Sequence, residues 1–496
     1  MRATRSCVTG KRRDDLLVAL AATVPLVWLL VRERMVAGAA GFPLDDSWIH
    51  LHFARNLAAG EGFAYNPGHP VSGSTAPLWT LTLAAGAAIA GASLWMAKTL
   101  GVVSAIAAAL VTRRAAIAFG AAPLTALVAA IALLWTGALA WGALSGMEVP
   151  LAALLVAVAL LALAHQATWI AAVTAALAAL ARPEAILLVP LLALARPLTV
   201  RRALLFGVLT AAFLAPFVAF SYATVGGPLP ATAVAKIEGG LLGWLGGLRE
   251  PPLLTWVTRP RDFGFEWIRW LFKTHPLLPL ALPAAFAAWR WRGRALGVVA
   301  LALIIHPLAM ALLAPYRGPG FQEGRYSTHL LPIAFVVLAA LAGKTAARAM
   351  PVVLSGVLIV SLIALAPAAE RYAWGVQNIN AMQVHLGHWL AARTPPTATL
   401  AVNDIGAIAF FSRRPVLDLM GLVTPEIMPY QRHGESGVIK YVIEHCPDYV
   451  VIFPAWFPRL AARGDLVIAV YSVHLARNEV AGSPEMVVYR LTRCAV

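Results

Sequence analysis

Apolar runs fill most of the chain between residues 16 and 368, and the polar residues between them gather in a few short blocks. The runs lie near 16–31, 75–91, 96–112, 115–140, 149–165, 168–196, 203–223, 276–289, 295–315, 327–345 and 350–368. An upright transmembrane helix needs ~20 apolar residues, so the pattern predicts a polytopic α-helical membrane protein of about 11–13 transmembrane helices. The pair Arg182-Pro183 interrupts the run at 168–196 and predicts two short helices there, because the residue before a proline avoids the helical region. After Ala369 the pattern changes. Thr399–Asn403, Val416–Leu419, Tyr449–Phe453, Leu466–Tyr471 and Met486–Leu491 read as short strands, and Asn378–Arg393 and Ser436–His445 read as helices. Two domains follow: a transmembrane domain over residues 1–369, including a first outer loop at 36–75, and a small C-terminal α/β domain over 370–496.

Composition supports the membrane reading and fixes its sidedness. The chain is 60% hydrophobic and 12% charged with mean hydropathy +0.75, whereas soluble domains are roughly 45–50% apolar. A net charge of +16 would suggest nucleic acid in a soluble protein. Here the cations cluster between apolar runs, at Lys11-Arg12-Arg13, Arg113-Arg114, Arg196 to Arg202, Arg290 to Arg294 and Lys344 to Arg348, which is the positive-inside pattern. No nucleic-acid partner is expected. Leu16–Val31 has the length of a span or of a signal-peptide core, and Val36–Gly41 resembles a cleavage site. Arg32, Glu33 and Arg34 intervene, so an uncleaved anchor with a cytoplasmic N-terminus is expected. The first loop, residues 226–236 and 316–326, and the C-terminal domain then face outward. Parity requires one early run to be short, re-entrant or interfacial, and 75–91 is the expected one. Ala- and Arg-rich usage points to a high-GC bacterium, hence to the bacterial inner membrane. Of the three cysteines, Cys446 and Cys494 share the outer domain, which permits a disulfide.

The candidate chemistry sits in the first loop, PLDDSWIHLHFARNLAAGEGFAYNPGHPVSGSTAPLW, which opens on Asp45 and Asp46. Charged residues at the edge of a membrane are costly and usually have a partner or a task. Asp45 reads as a helix N-cap and Asp46 as first-turn, followed by Trp48, Ile49, Phe53 and Leu57 at helical spacing, an amphipathic helix on the membrane surface. His50 and His52 lie two apart beside the acids, a weak basis for a metal site and better suited to polar packing or substrate hydrogen bonding. Other polar groups interrupt apolar sequence: Glu148 in SGMEV, Arg182 and Glu184 in ARPEA, Lys236 in PATAVAK, and Arg325 and Tyr326 in EGRYS. Cations and carboxylates on one membrane face suit an anionic, lipid-linked substrate, since Arg grips phosphate bidentately and a carboxylate can deprotonate a hydroxyl. No Walker loop, GxSxG, HExxH or CxxC pair occurs.

The stretch LDDSWIHLHFARNLAAGEGFAYNPGHPVSGSTAPLWTL resembles the first-loop signature of the GT-C integral-membrane glycosyltransferases, in particular the group of the mycobacterial terminal arabinofuranosyltransferase. The similarity continues in order through SGMEVPLAALL, ARPEAILL, GGPLPATAVAK, GRYSTHLLP and VNDIGAIAFFSRRPVLDLMGL. The chain departs from the group at His52, where the motif carries a basic residue, and at PATAVAK, which keeps Lys236 without an Asn or aromatic. The resemblance implies a GT-C-like fold and inverting transfer of a sugar from a polyprenyl-phosphate donor to a hydroxyl of an envelope glycan, glycolipid or protein. It implies Asp45 as general base with Asp46 assisting, the two roles being exchangeable. Candidates for the donor phosphate are Arg55, Lys236, Arg325 and Arg182, and for substrate His50, His52, Glu148, Tyr326 and Asp404. No cofactor is required; a divalent metal is optional and not indicated. The competing reading is a transporter or flippase of lipid-linked saccharides, which would share the hydrophobicity and cationic outer face.

Overall fold

A computed structural model of the chain describes residues 13–342 and 350–492. Among these residues six helices are long and apolar enough to cross a membrane: Arg13–Ala37, Leu94–Ala118, Val200–Val225, Arg294–Leu313, Phe321–Leu341 and Pro351–Arg393. A seventh span results if Pro123–Leu134 and Gly137–Ser145, bent by 55°, count as one. Pro77–Ala90, Val149–Ala164, Thr168–Ala181 and Pro183–Leu194 are shorter apolar helices. The chain is a polytopic helical membrane protein, and helix length separates these four from the full spans. Pro77–Ala90 has 14 residues, ~21 Å at 1.5 Å per residue, which falls short of a ~30 Å hydrocarbon core. The run at 276–289 becomes a 3-10 turn at Leu278–Leu280 and a helix at Ala281–Arg292, which is not among the candidate spans.

The contacts divide the chain into two compact units. The first comprises Met1–Leu29, Lys98–Pro216 and Ile237–Ala369. Its helices approach closely because small residues line their faces. In Thr168–Ala181 the buried positions include Ala171, Ala172, Ala175 and Ala178. Gly101 lies against the carbonyl of Ala143, where a Cβ would overlap it. The expected break is present: Arg182 is extended at φ −146° and ψ 118°, and Pro183–Leu187 restarts as a 3-10 turn.

The second unit comprises Leu30–Ala97, Phe217–Lys236 and Glu370–Val496. Its N-terminal elements are helix α1 (Asp46–Ala58), the hairpin β1 (Ala64–Asn66) and β2 (His69–Pro70), helix α2 (Pro77–Ala90) and helix α3 (Ala231–Lys236). Strand β3 (Leu400–Val402), helix α4 (Gly406–Ser412), strand β4 (Val416–Asp418), helix α5 (Gly434–His445) and strands β5 (Tyr449–Ile452), β6 (Val467–His474) and β7 (Glu485–Leu491) follow. The sheet order is β4-β3-β5-β7-β6, parallel across β4-β3-β5 and antiparallel across β5-β7-β6. All five expected strands form. The expected helix at Asn378–Arg393 is the end of Met350–Ile379, a π turn at Asn380–Val384 and a helix at His385–Arg393.

Strand alternation sends Leu400, Val402, Val451 and Val488 to one face of the sheet and Ala401, Val450, Ile452 and Tyr489 to the other. The first face shares its core with Ile49 and Phe53 of α1, so the first loop is built into the same unit as the strands. Helix α1 is therefore enclosed, not laid on a surface: Ser47, Trp48, Ile49, His50, Leu51, His52, Phe53 and Ala54 are all buried. Both its apolar and its polar positions have protein partners, which periodicity alone could not separate from a membrane-facing stripe. Cys446 is disulfide-bonded, while Cys494 lies outside the described residues.

Candidate active site

Helix α1 begins where an aromatic clamp fixes Trp48. Its ring meets Phe42 at 4.7 Å, Phe410 at 5.0 Å and Phe411 at 4.8 Å between centroids. The carbonyl of Asp45 starts the helix by accepting from Trp48 N at 2.9 Å. The Asp45 carboxylate does not cap its own helix, as the sequence suggested; it caps α4. Gly406 N donates to Oδ2 at 2.6 Å and Ala407 N to Oδ1 at 2.7 Å, across more than 360 positions of sequence. Position 406 requires glycine, because a Cβ there would overlap the Asp45 carbonyl oxygen.

Asp45 is buried, and Asp404 hydrogen-bonds it from the sheet side. Gln383 Nε2 donates to Asp404 Oδ2 at 2.6 Å. Burial and the neighbouring Asp45 charge raise the Asp404 carboxyl well above the ordinary carboxylate range. Burial also raises Asp45, opposed by the Ala407 amide, the Asp404 hydrogen bond and the Gly406 amide. Burial thus raises both carboxyls of the pair, and Asp45 is the acceptor of three hydrogen bonds.

Asp46 has a different environment. Its side chain is 29% exposed and faces Lys236 Nζ at 3.3 Å, itself 21% exposed. Helix α3 delivers Lys236 because Ala231 N donates to Ser72 O at 2.8 Å and Thr232 Oγ1 donates to Gly73 O and, at 3.0 Å, to Leu422 O. The chain thus brings three sequence-distant segments to one carboxylate–ammonium pair. Asp418, at the end of β4, is close enough for the Lys236 charge to act on it. It accepts from Met420 N at 2.8 Å and Val423 N at 2.9 Å, and burial pushes its carboxyl up to about 6 against those bonds.

The other first-loop candidates form their own network. His52 Nε2 donates to Tyr65 O at 2.8 Å and its Nδ1 accepts from Arg55 Nη2 at 3.1 Å, with its ring stacked on Tyr65 at 4.3 Å. Burial and Arg55 lower His52 to about 3, so it is the neutral Nε2–H tautomer. Arg55 also donates from Nη1 to Phe410 O at 2.8 Å and lies 4.5 Å over that ring. His50 meets Thr80 Oγ1 at 3.3 Å. Tyr65 donates to Ile405 O at 3.0 Å, tying the hairpin to the turn that carries Asp404. Asn403 Oδ1 accepts from Phe453 N at 3.2 Å.

Glu148, Arg182, Arg325 and Tyr326 gather in the other unit. Arg182 pairs with Glu148 through Nη1 and with Glu184 through Nε at 3.2 Å. The Tyr326 ring lies 4.6 Å from the Arg182 guanidinium and 5.0 Å from that of Arg325, whose Nη2 donates to the Tyr326 hydroxyl at 2.9 Å. His306 and His329 lie close by, 5.4 Å apart, with His306 Nε2 donating to Ser327 Oγ at 3.0 Å. Among the described residues no three His, Cys, Asp or Glu side chains group as metal ligands.

Sequence reasoning missed Gln383, Tyr65, Asp418 and the Gly406 and Ala407 amides. Gly406, Ala407 and Asp418 lie within the family-like stretch at 402–422, which drew attention only to Asn403 and Asp404. Tyr65 lies within the first-loop stretch, which drew attention to its charged and histidine residues, and Gln383 carries no local signal.

The chain matches the model of a domain of unknown function, DUF8728, over residues 377–489. No curated protein matches it in sequence. Solved structures match over most of its length. The apo oligosaccharyltransferase of Archaeoglobus fulgidus aligns with a TM-score of 0.57 at 12% identity, over 89% of this chain and 69% of that one. ArnT from Cupriavidus metallidurans bound to undecaprenyl phosphate aligns at 0.56 and 15% identity, over 95% and 98%. The archaeal oligosaccharyltransferase AglB, in complex with an inhibitory peptide and a dolichol-phosphate, aligns at 0.54 and 10%, over 89% and 69%. The protein thus has the GT-C-like membrane fold that its sequence motifs imply, with a small sheet-containing C-terminal region.

Proposed function

We propose that the protein is an integral membrane glycosyltransferase that moves a sugar, with arabinofuranose favoured, from a polyprenyl-phosphate donor to a hydroxyl of an envelope glycan, glycolipid or protein. The observation that carries this reading is the division of labour in the Asp pair. Asp45 is committed to two amides and Asp404, whereas Asp46 is partly exposed beside Lys236. We read Asp46 as the general base and Asp45 as the carboxylate anchored beside it, one of the two role assignments the motif allows. The acceptor O–H bond breaks to Asp46, the acceptor oxygen bonds the anomeric carbon from the face opposite the phosphate, and the carbon–phosphate oxygen bond breaks with its electron pair on the phosphate. Lys236 stands where it can neutralise the charge that grows on the leaving phosphate. Arg55 is already committed to Phe410 O and His52. Arg182 is paired with Glu148 and Glu184 in the other unit, whereas Lys236 lies beside the Asp pair, which makes Lys236 the stronger phosphate candidate. The fold is shared with proteins captured with undecaprenyl phosphate and dolichol-phosphate, which supports a lipid-phosphate donor. Cationic side chains can balance such a donor, so no metal or other cofactor is required. The site faces the outer side of a bacterial inner membrane, with the N-terminus cytoplasmic.

The test is transfer of labelled sugar from polyprenyl-phosphate pentoses and hexoses in proteoliposomes, with and without EDTA. One donor should react, and EDTA should leave the rate unchanged. Absence of transfer from every donor, with labelled lipid crossing the bilayer, would replace this reading with the transporter.

A further inference from the structure

The unit that holds the Asp pair also contains a cleft of about 900 Å³, near the upper end of small-ligand sites. Asp45, Asp46, Lys236 and Asp404 do not line it. Its wall comes from the β1–β2 hairpin, the end of α1, the turn after α4 and the end of α5, stiffened by Pro67, Pro70, Pro396, Pro415 and Pro425.

Arg413 marks this cleft as a site. It closes α4 in the left-handed conformation, φ 55° and ψ 33°, where glycine or asparagine is the usual choice. The chain places an exposed arginine there at a backbone cost, and among the described residues its guanidinium has no hydrogen-bond or ion-pair partner. Arg55 faces the same cleft, and burial together with the Arg413 charge lowers it, so two guanidinium groups stand near each other. Glu61, His69 and Glu426 line the same space, with exposed side chains that make no hydrogen bond among the described residues. The His445 ring is stacked at 3.8 Å on buried Tyr441, which holds a flat imidazole at the wall.

A free phosphate would meet Glu61 and Glu426 beside the cations and be repelled. A polyhydroxylated neutral chain satisfies both signs, because a hydroxyl donates to a carboxylate and accepts from a guanidinium. We propose that this cleft is a saccharide-binding site for the acceptor glycan, gripping neutral sugar residues through Arg413, Glu61 and Glu426 away from the reacting hydroxyl. As an acceptor site it rests on the glycosyltransferase reading. Binding energy from such a remote segment can be used to orient the reacting end.

The test uses the full chain in nanodiscs without donor. Binding of an arabinofuranosyl tetrasaccharide, a mannopyranosyl tetrasaccharide and inorganic tripolyphosphate is measured for wild type, Arg413→Gly and Glu426→Gln. Arg413→Gly relieves the backbone and should preserve the fold. One tetrasaccharide should bind, and each substitution should weaken it about tenfold or more, the loss expected for a charged hydrogen bond. In turnover, acceptor KM should rise with donor KM unchanged. Binding of neither tetrasaccharide, equal binding in both variants, or preference for tripolyphosphate would overturn the proposal. Arg413-dependent saccharide binding without any sugar transfer would sink the enzymatic reading and leave the saccharide site standing.

Discussion

Substituting each member of the Asp pair separates a positioning carboxylate from a reacting one. Asp45 accepts two short amide bonds, at 2.6 and 2.7 Å, and a third from Asp404. In Asp45→Asn one oxygen becomes an NH2 group that faces an amide donor, and the charge is lost. Hydrogen bonds to a charged group contribute about 1.5–3 kcal/mol each, and leaving a buried donor unsatisfied adds a similar cost, so the substitution should destabilise this unit by roughly 2–5 kcal/mol. Asp46→Asn removes a partly exposed pair with Lys236, which should cost ~1 kcal/mol. Loss of a general base typically lowers turnover by about 10²–10⁴-fold. Thermal unfolding in detergent should therefore show a clear drop for Asp45→Asn and almost none for Asp46→Asn, while Asp46→Asn abolishes sugar transfer with donor still bound. If Asp46→Asn transfers sugar within threefold of wild type, or Asp45→Asn is as stable as wild type, the assignment of roles is wrong.

The pH response should carry a signature of Asp418. Its folded carboxyl lies at about 6 against an ordinary 3.8, so the folded state holds the proton more tightly. The resulting stabilisation is complete below pH ~4 and is lost as pH rises through about 6, by roughly 3 kcal/mol at 1.36 kcal/mol per unit. Relative to Asp418→Asn, wild type should gain stability between pH 7 and 4.5; a parallel response in both proteins would contradict this. In the other unit, Arg182→Ala leaves the buried Glu148 without its ion pair, a loss on the order of 3–5 kcal/mol, and Arg182→Ala with Glu148→Gln should recover much of it. Equal unfolding temperatures for single and double variants would show that the pair is not coupled.

Much of this protein is legible in its sequence. Apolar run length determines that it lives in a membrane, because the backbone must satisfy its own hydrogen bonds there. Arg182-Pro183 fixes a helix break through steric restriction at one residue, and the short apolar runs after Ala369 place all five strands. These are local effects, carried by neighbours along the chain. Charge parity marked 75–91 as the short run, but local pattern was less informative elsewhere, since the run at 276–289 looks as apolar as its longer relatives. It also misplaced α1, whose apolar stripe is covered by the sheet core and not by lipid. The sequence singled out Asp45 and Asp46 as a pair and could not tell them apart, because adjacent residues share every local property. Their distinction comes from partners far away in the chain: Gly406, Ala407 and Asp404 close around one carboxylate, while α3 presents Lys236 to the other. Hydrogen bonding, burial and charge decide which acid can accept a proton, and those are set only when distant segments fold against each other.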